Sequence, residues 1–175
     1  MALETLTRPT GELYDLFREG YGKHYDAEKA QRIFMRASRI LLLRDLSGYP
    51  IAGVVAEESR IAAAATTTDT SRGKRLEIGL RMMAICREDS SVYWCTIGEQ
   101  HRAVQFTAGM AGMERIQDPE QAATVLNNYS RGDEYVVCDG AASELIISKQ
   151  ASTAERQQLW AWPEGIPVPS QLSAC

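Results

Sequence analysis

The sequence holds only two histidines, His24 and His101, and its four cysteines, Cys86, Cys95, Cys138 and Cys175, include no CxxC pair and no histidine at ligand spacing. Structural zinc sites and disulfide frameworks announce themselves through such spacings, so neither is expected and the thiols read as reduced and mostly packed. A basic excess is also missing. With 19 Lys and Arg against 23 Asp and Glu, the formal charge is −4, which speaks against a nucleic acid as partner, because affinity for a phosphate backbone is built from clustered cations. The apolar runs at 40–43 and 61–65 fall far short of the roughly 20 residues that span a bilayer. Residues 1–9 carry Glu4 and Thr5 where a secretory signal needs a basic start and then an apolar run. A cytoplasmic location without a membrane partner is the expectation. The G-x-S-x-G elbow, a complete P-loop, HExxH and the dinucleotide fingerprint are absent as well, which removes the commonest hydrolase, NTPase, metalloprotease and Rossmann readings.

What is present is the make-up of an ordinary globular domain, 45% hydrophobic and 24% charged over 175 residues, enough for one core. Leu13, Leu16, Phe17 and Tyr21 recur at intervals of three and four, as do Ala30, Ile33, Phe34 and Ala37 after Asp26, a good N-cap. Two short amphipathic helices after a brief extended start are predicted. Residues 39–46 and 51–57 read as strands around the turn formers Ser47-Gly48-Tyr49-Pro50. Residues 61–69 stay open between two states, because four alanines favour helix whereas Thr66, Thr67 and Thr68 favour strand. Residues 76–87 read as a helix with Leu76, Leu80, Met83, Ala84 and Ile85 on its apolar face and Glu77, Arg81 and Glu88 on a polar stripe. Short strands at 92–97 and 114–116 then bracket a helix at 99–108, residues 135–138 and 145–147 form a hairpin about Asp139-Gly140, and residues 154–162 make a last helix before a proline-bearing tail. The predicted organisation is one domain over residues 1–150. Residues 151–175 are expected to pack as a C-terminal helix and tail, on the domain itself or, through Trp160 and Trp162, on a protein partner or a second subunit.

Ser71-Arg72-Gly73-Lys74-Arg75-Leu76-Glu77 sets a basic, glycine-bearing turn at a helix start. Such starts expose unpaired backbone N–H groups and the positive end of the helix dipole, a seat for phosphate anions, although a solvated basic turn is the plainer reading. Glu99-Gln100-His101-Arg102-Ala103, followed by Phe106 and Gly112-Met113, opens a second helix after a strand. In these two segments, and in its order of elements across residues 5–147, the chain resembles the GCN5-related N-acetyltransferases (GNAT). The resemblance implies an α/β (α+β) fold with a mixed, mostly antiparallel central sheet flanked by helices. It implies acetyl-CoA as cosubstrate and an amine of a small molecule or a protein as acceptor. It also implies pyrophosphate contacts from Arg72, Gly73, Lys74 and Arg75, a cleft lined by the strand-end residues Ala65 and Thr67, and a further coenzyme contact from Gln100.

Transfer to an amine needs a group that takes a proton from the ammonium. Glu58, beside Glu57 at a predicted hairpin tip, and His101 are the candidates, with His24 on the side where the resemblance places the acceptor. Thr107 stands where the family often has the tyrosine that protonates the leaving thiolate, so Tyr93 and Cys95 become candidates for that step. Arg75 and Glu77 stand where the family usually has small residues. Two readings therefore remain open: an N-acyltransferase, or a GNAT-like domain without catalysis that serves as a binding or assembly component.

Overall fold

The computed structural model describes residues 1–89, 91–139, 145–149 and 152–168. Strand β1 (Ala2–Leu6) leads into helices α1 (Gly11–Tyr21) and α2 (Ala27–Met35). Thr10 and Asp26 cap these helices, each side chain accepting the N–H three residues on. Next come β2 (Arg39–Arg44), β3 (Pro50–Glu57) and β4 (Arg60–Thr66), an antiparallel meander. The alanine run thus settles as strand, because pairing with β3 outweighs the helix preference of isolated alanines. Helix α3 (Arg72–Glu88), β5 (Trp94–Gly98), α4 (Arg102–Met110), β6 (Glu114–Arg115), α5 (Pro119–Asn127), β7 (Tyr135–Asp139), β8 (Leu145–Lys149) and β9 (Ser152–Ala161) complete the chain.

The strand order is β1-β2-β3-β4-β5-β9-β8-β7, with β6 also beside β9, and only β4 and β5 pair in parallel. The sheet is mixed, mostly antiparallel and flanked by helices, as the sequence implied. Helices α1 and α2 cover one face over Ile40, Leu42 and Val55, while α3 and α4 cover the other over Leu41, Leu43 and Val54. Because both faces of β3 are covered, all eight of its residues are buried, and the seven before Glu57 form a continuous apolar run without alternation. Helix α1 comes this close because of Gly53, where a Cβ would sit 3.0 Å from Phe17 and 3.1 Å from Leu13. A third cluster joins α5 to Trp94, Ile147 and Leu159.

Three elements differ from the sequence reading. Residues 154–162 are not a helix: all but Trp162, which follows directly, belong to β9, between β5 and β8. Its Ala, Glu, Arg, Gln and Leu are individually good helix formers. Yet Leu159 and Ala161 join the α5 cluster while Trp160 and Trp162 pack on the α3 side, an alternation of period two. Both tryptophans are therefore used within the domain, and Trp162 Nε1 donates to the Ala111 carbonyl at 3.0 Å. Residues 169–175 of the tail, and the Gly140 end of the β7–β8 hairpin, lie outside the described residues. Helix α3 buries Ile78, Met82 and Cys86, whereas Leu76, Leu80, Met83 and Ile85 are half-buried and Ala84 is exposed. The true face is an i, i+4, i+8 stripe set against β3 and β4. Helix α5 has no counterpart in the sequence reading, although Asp118 as cap and Pro119 in the first turn form a sound helix start.

Candidate active site

Strands β4 and β5 pair only at Arg60–Trp94 and Ile61–Cys95. The cause lies in β4 itself. Against β3, Val55 faces Ala63 but Ala56 faces Ile61, so Ala62 is an extra residue. A bulge of this kind bends and twists its strand, and from Ala62 onward β4 diverges from β5 to make a V-shaped opening. Its edge toward β5 is left without a ladder partner among the described residues, in the fourth strand of an eight-strand path. Backbone groups in a sheet interior are normally paired, so this edge is a place for an extended ligand. The side chains fit that use: Ala62 and Ala63 are half-buried and Ala64 is exposed, small residues that leave the backbone accessible.

At the open end of the V, β4 runs into α3. Ser71 Oγ accepts from Lys74 N at 3.3 Å and the Ser71 carbonyl accepts from Arg75 N at 2.9 Å. The N–H groups of Arg72 and Gly73 precede the first intrahelical bond and have no partner among the described residues. Arg72, Gly73 and Lys74 are exposed and Arg75 is half-buried. Lys74 Nζ lies 2.8 and 2.9 Å from the two Glu77 oxygens, so its charge is already paired. The residues proposed for the pyrophosphate and strand contacts, Ala65, Thr67, Arg72, Gly73, Lys74 and Arg75, thus gather at one end of β4.

Because β5 is parallel to β4, its end and the start of α4 share this edge. Gln100 and His101 stand there, both exposed, with Gln100 Nε2 and His101 Nε2 3.3 Å apart. Gln105 fixes the turn by donating from Nε2 to the carbonyls of Gly98 and Glu99, each at 3.0 Å. Thr107 donates to the Ala103 carbonyl at 2.9 Å, and its methyl faces Gly79 of α3, where a Cβ would lie 3.4 Å away. It is a helix-packing contact.

The last turn of α1 supplies two groups that sequence reasoning missed. Glu19 accepts from Thr67 Oγ1 and Thr68 Oγ1, each at 2.8 Å, and from Thr68 N. Burial pushes its carboxyl up, but the donors from Thr68, Thr67 and Asp69 outweigh this and hold it below the ordinary range. Tyr21 stacks on Phe17, with ring centroids 5.9 Å apart. Tyr21 is 41% exposed as a residue, but desolvation about its hydroxyl still raises the phenol, opposed in part by the Ala64 backbone, so the hydroxyl keeps its proton at neutral pH. The signal that marks this turn is Gly20, a glycine inside a helix whose absent side chain admits β4.

The closed end of the V is different in kind. Glu58 occupies the β3–β4 turn with φ 52° and accepts from Ser130 N at 3.1 Å and from Ser130 Oγ. It is separated from the α3 turn by the seven residues of β4, roughly 20 Å at the usual rise per residue. Tyr93 is buried just ahead of β5, its N–H donating to the Ser59 carbonyl at 2.9 Å, and burial raises its phenol. Neither residue is brought to the Arg72–Lys74 turn. Burial also pushes the thiols of Cys95 and Cys86 up, to about 12 and about 11, so both are packed and unreactive. His24 is exposed in a short turn after α1. Among the described residues no cluster of His, Cys, Asp or Glu suits a metal, and no helix is long and apolar enough to cross a membrane.

A meander followed by a parallel strand, splayed from it by a bulge, with two helix N-termini at the opening, is the fold of the GCN5-related N-acetyltransferases. The ribosomal-protein-S18-alanine N-acetyltransferase from Escherichia coli matches over 99% of this chain and 100% of its own, with a TM-score of 0.55 and 10% identity. An acetyltransferase from Bacillus subtilis in complex with CoA matches over 91% and 95%, with a TM-score of 0.55 and 10% identity. A GNAT family acetyltransferase from Elizabethkingia anophelis with acetyl-CoA bound matches over 91% and 95%, with a TM-score of 0.54 and 11% identity. At these identities the likeness is one of fold. No protein-family model and no curated protein matches the chain by sequence.

Proposed function

We propose that this protein is an acyl-CoA-dependent N-acyltransferase of the cytoplasm that moves an acetyl group from acetyl-CoA to an amine of a small molecule or a protein. The observation that carries this reading is the unpaired edge of β4 leading to the free Arg72 and Gly73 N–H groups at the start of α3. An extended arm ending in a pyrophosphate needs those two features in that order. Bound CoA in the Bacillus subtilis neighbour and acetyl-CoA in the Elizabethkingia anophelis neighbour support it.

Acetyl-CoA brings an acyl group activated as a thioester. Arg72 N, Gly73 N and the side chains of Arg72 and Lys74 hold the pyrophosphate, and the edge of β4 that β5 leaves unpaired beyond Ile61 orients the arm. Gln100 borders the opening from α4. Tyr21 Oη holds the proton for which Thr107 has no phenol. His101, at the opening beside Gln100, is the group that takes the amine proton, since both oxygens of Glu58 are engaged by Ser130 at the other end of β4. The Lys74–Glu77 pair is the feature that favours the other reading, a binding component without catalysis, because a carboxylate from the second turn of the anion-binding helix already occupies the lysine of its first turn.

Calorimetric titration with acetyl-CoA, with desulfo-CoA and pantetheine as controls, tests the proposal. Saturable binding that depends on the pyrophosphate is expected, and absence of binding at millimolar ligand would discard it. Glu77→Gln frees Lys74 and removes one negative charge beside the seat. It is expected to tighten acetyl-CoA roughly three- to five-fold, more at low than at high salt, since exposed charges are screened. Unchanged affinity would mean that Lys74 takes no part in holding the phosphates.

A further inference from the structure

The segment joining β4 to α3 is held from outside by α1. Thr67 is 3% exposed, and its N–H donates to the Ile51 carbonyl at 2.9 Å, which extends the β3–β4 ladder past the end of β4. Its hydroxyl donates to Glu19 Oε1 at 2.8 Å and accepts from Asp69 N at 3.2 Å. Thr68 gives the same carboxylate oxygen its own hydroxyl, at 2.8 Å, and its N–H. Three donors from two consecutive residues fix the course of the chain and the plane of the peptide between them. Bonds to a charged acceptor are the stronger kind. Gly20 makes the reach possible, because a Cβ there would lie 3.1 Å from Ala65 Cβ and 3.2 Å from the Thr66 carbonyl oxygen. Three residues past Thr68, Ser71 caps α3. The turn that presents the Arg72 and Gly73 N–H groups is therefore fixed at one end by Glu19 and at the other by Ser71.

From these contacts we infer that Glu19 is the positioning residue of the anion seat, acting through Thr67 and Thr68 without touching the ligand. A seat whose N–H groups are already aimed loses less freedom on binding than one that must be ordered. The consequence for coenzyme affinity rests on the reading given above, whereas the latch exists in the protein without ligand.

Two measurements on wild type, Glu19→Gln, Thr67→Val and Thr67→Ser separate these levels: amide hydrogen exchange of residues 67–73 without ligand, and calorimetric titration with CoA. Glu19→Gln and Thr67→Val are each expected to speed exchange at Thr68 and Asp69 and to weaken CoA about ten-fold. Thr67→Ser, which keeps the hydroxyl, is expected to restore the slow exchange and most of the CoA affinity that Thr67→Val loses. Wild-type exchange in Glu19→Gln overturns the latch, whatever the titration gives. Faster exchange with undiminished CoA affinity overturns the positioning role. Absence of CoA binding by the wild-type protein, with exchange still accelerated in Glu19→Gln, sinks the coenzyme reading and the positioning role with it but leaves the latch standing.

Discussion

Gly73→Trp is expected to abolish coenzyme binding, a loss of at least about a hundred-fold, while the protein melts within a few degrees of wild type. Gly73 is exposed in the first turn of α3, and a Cβ built there meets nothing within 4 Å, so a large side chain has solvent to occupy and no neighbour to displace. What it removes is the approach of a phosphate to the backbone N–H groups of Arg72 and Gly73, which is the whole attraction of a helix start for an anion. Gly73→Ala separates the two effects. Alanine suits a helix better than glycine by about 0.5–1 kcal/mol, so this variant is expected to be slightly more stable. Its methyl crowds the same N–H groups, so it is also expected to bind acetyl-CoA more weakly. Melting curves and calorimetry on the two variants check both halves, and a Gly73→Trp protein that still binds acetyl-CoA would place the pyrophosphate elsewhere.

The parts of this fold legible in the sequence are those where one local signal suffices. Asp26 caps α2 as its residue type requires, the cluster at 47–50 turns β2 into β3, and Gly73 stands at a helix start. Misread elements are those whose state depends on neighbours far along the chain. The segment 154–162 is composed of helix formers, but its place between β5 and β8 makes it a strand, and nothing within those residues announces such a place. The alanines of β4 read as helix or strand until β3 pairs with them. The bulge at Ala62, which opens the site, is a mismatch between two strands and has no residue signature of its own. Glu19 was invisible for a similar reason: it lies 48 residues before Thr67, and a lone glutamate near a helix end is most often solvated. Of the candidates, Ala65, Thr67 and residues 72–75 lie together where β4 runs into α3, whereas Glu58 and Tyr93 lie at the other end of the V.

Arg60→Ala is expected to be the most damaging substitution for stability, at a cost of about 3–5 kcal/mol. For a chain of this length that corresponds to a melting temperature roughly 10 °C lower. Arg60 is 7% exposed, and its guanidinium carbon lies 5.7 to 5.9 Å from the ring centroids of Trp94, Tyr129 and Tyr135. It donates to the Tyr135 hydroxyl, and its partner across the hairpin is the buried Glu57. Removing the cation strips three rings of the charge over their faces and the Tyr135 hydroxyl of its donor. Arg60 is also the register partner of Trp94, one of the two pairs that join β4 to β5. The aromatic box thus fastens the closed end of the V, and the strands open only beyond it. Arg60→Met keeps the length and apolar stem of the side chain, so it is expected to recover part of the loss. Because the box lies at the far end of β4 from Gly73, the folded fraction of either variant should hold acetyl-CoA within about three-fold of wild type. A large drop in affinity without a drop in melting temperature would instead assign Arg60 to the binding cleft.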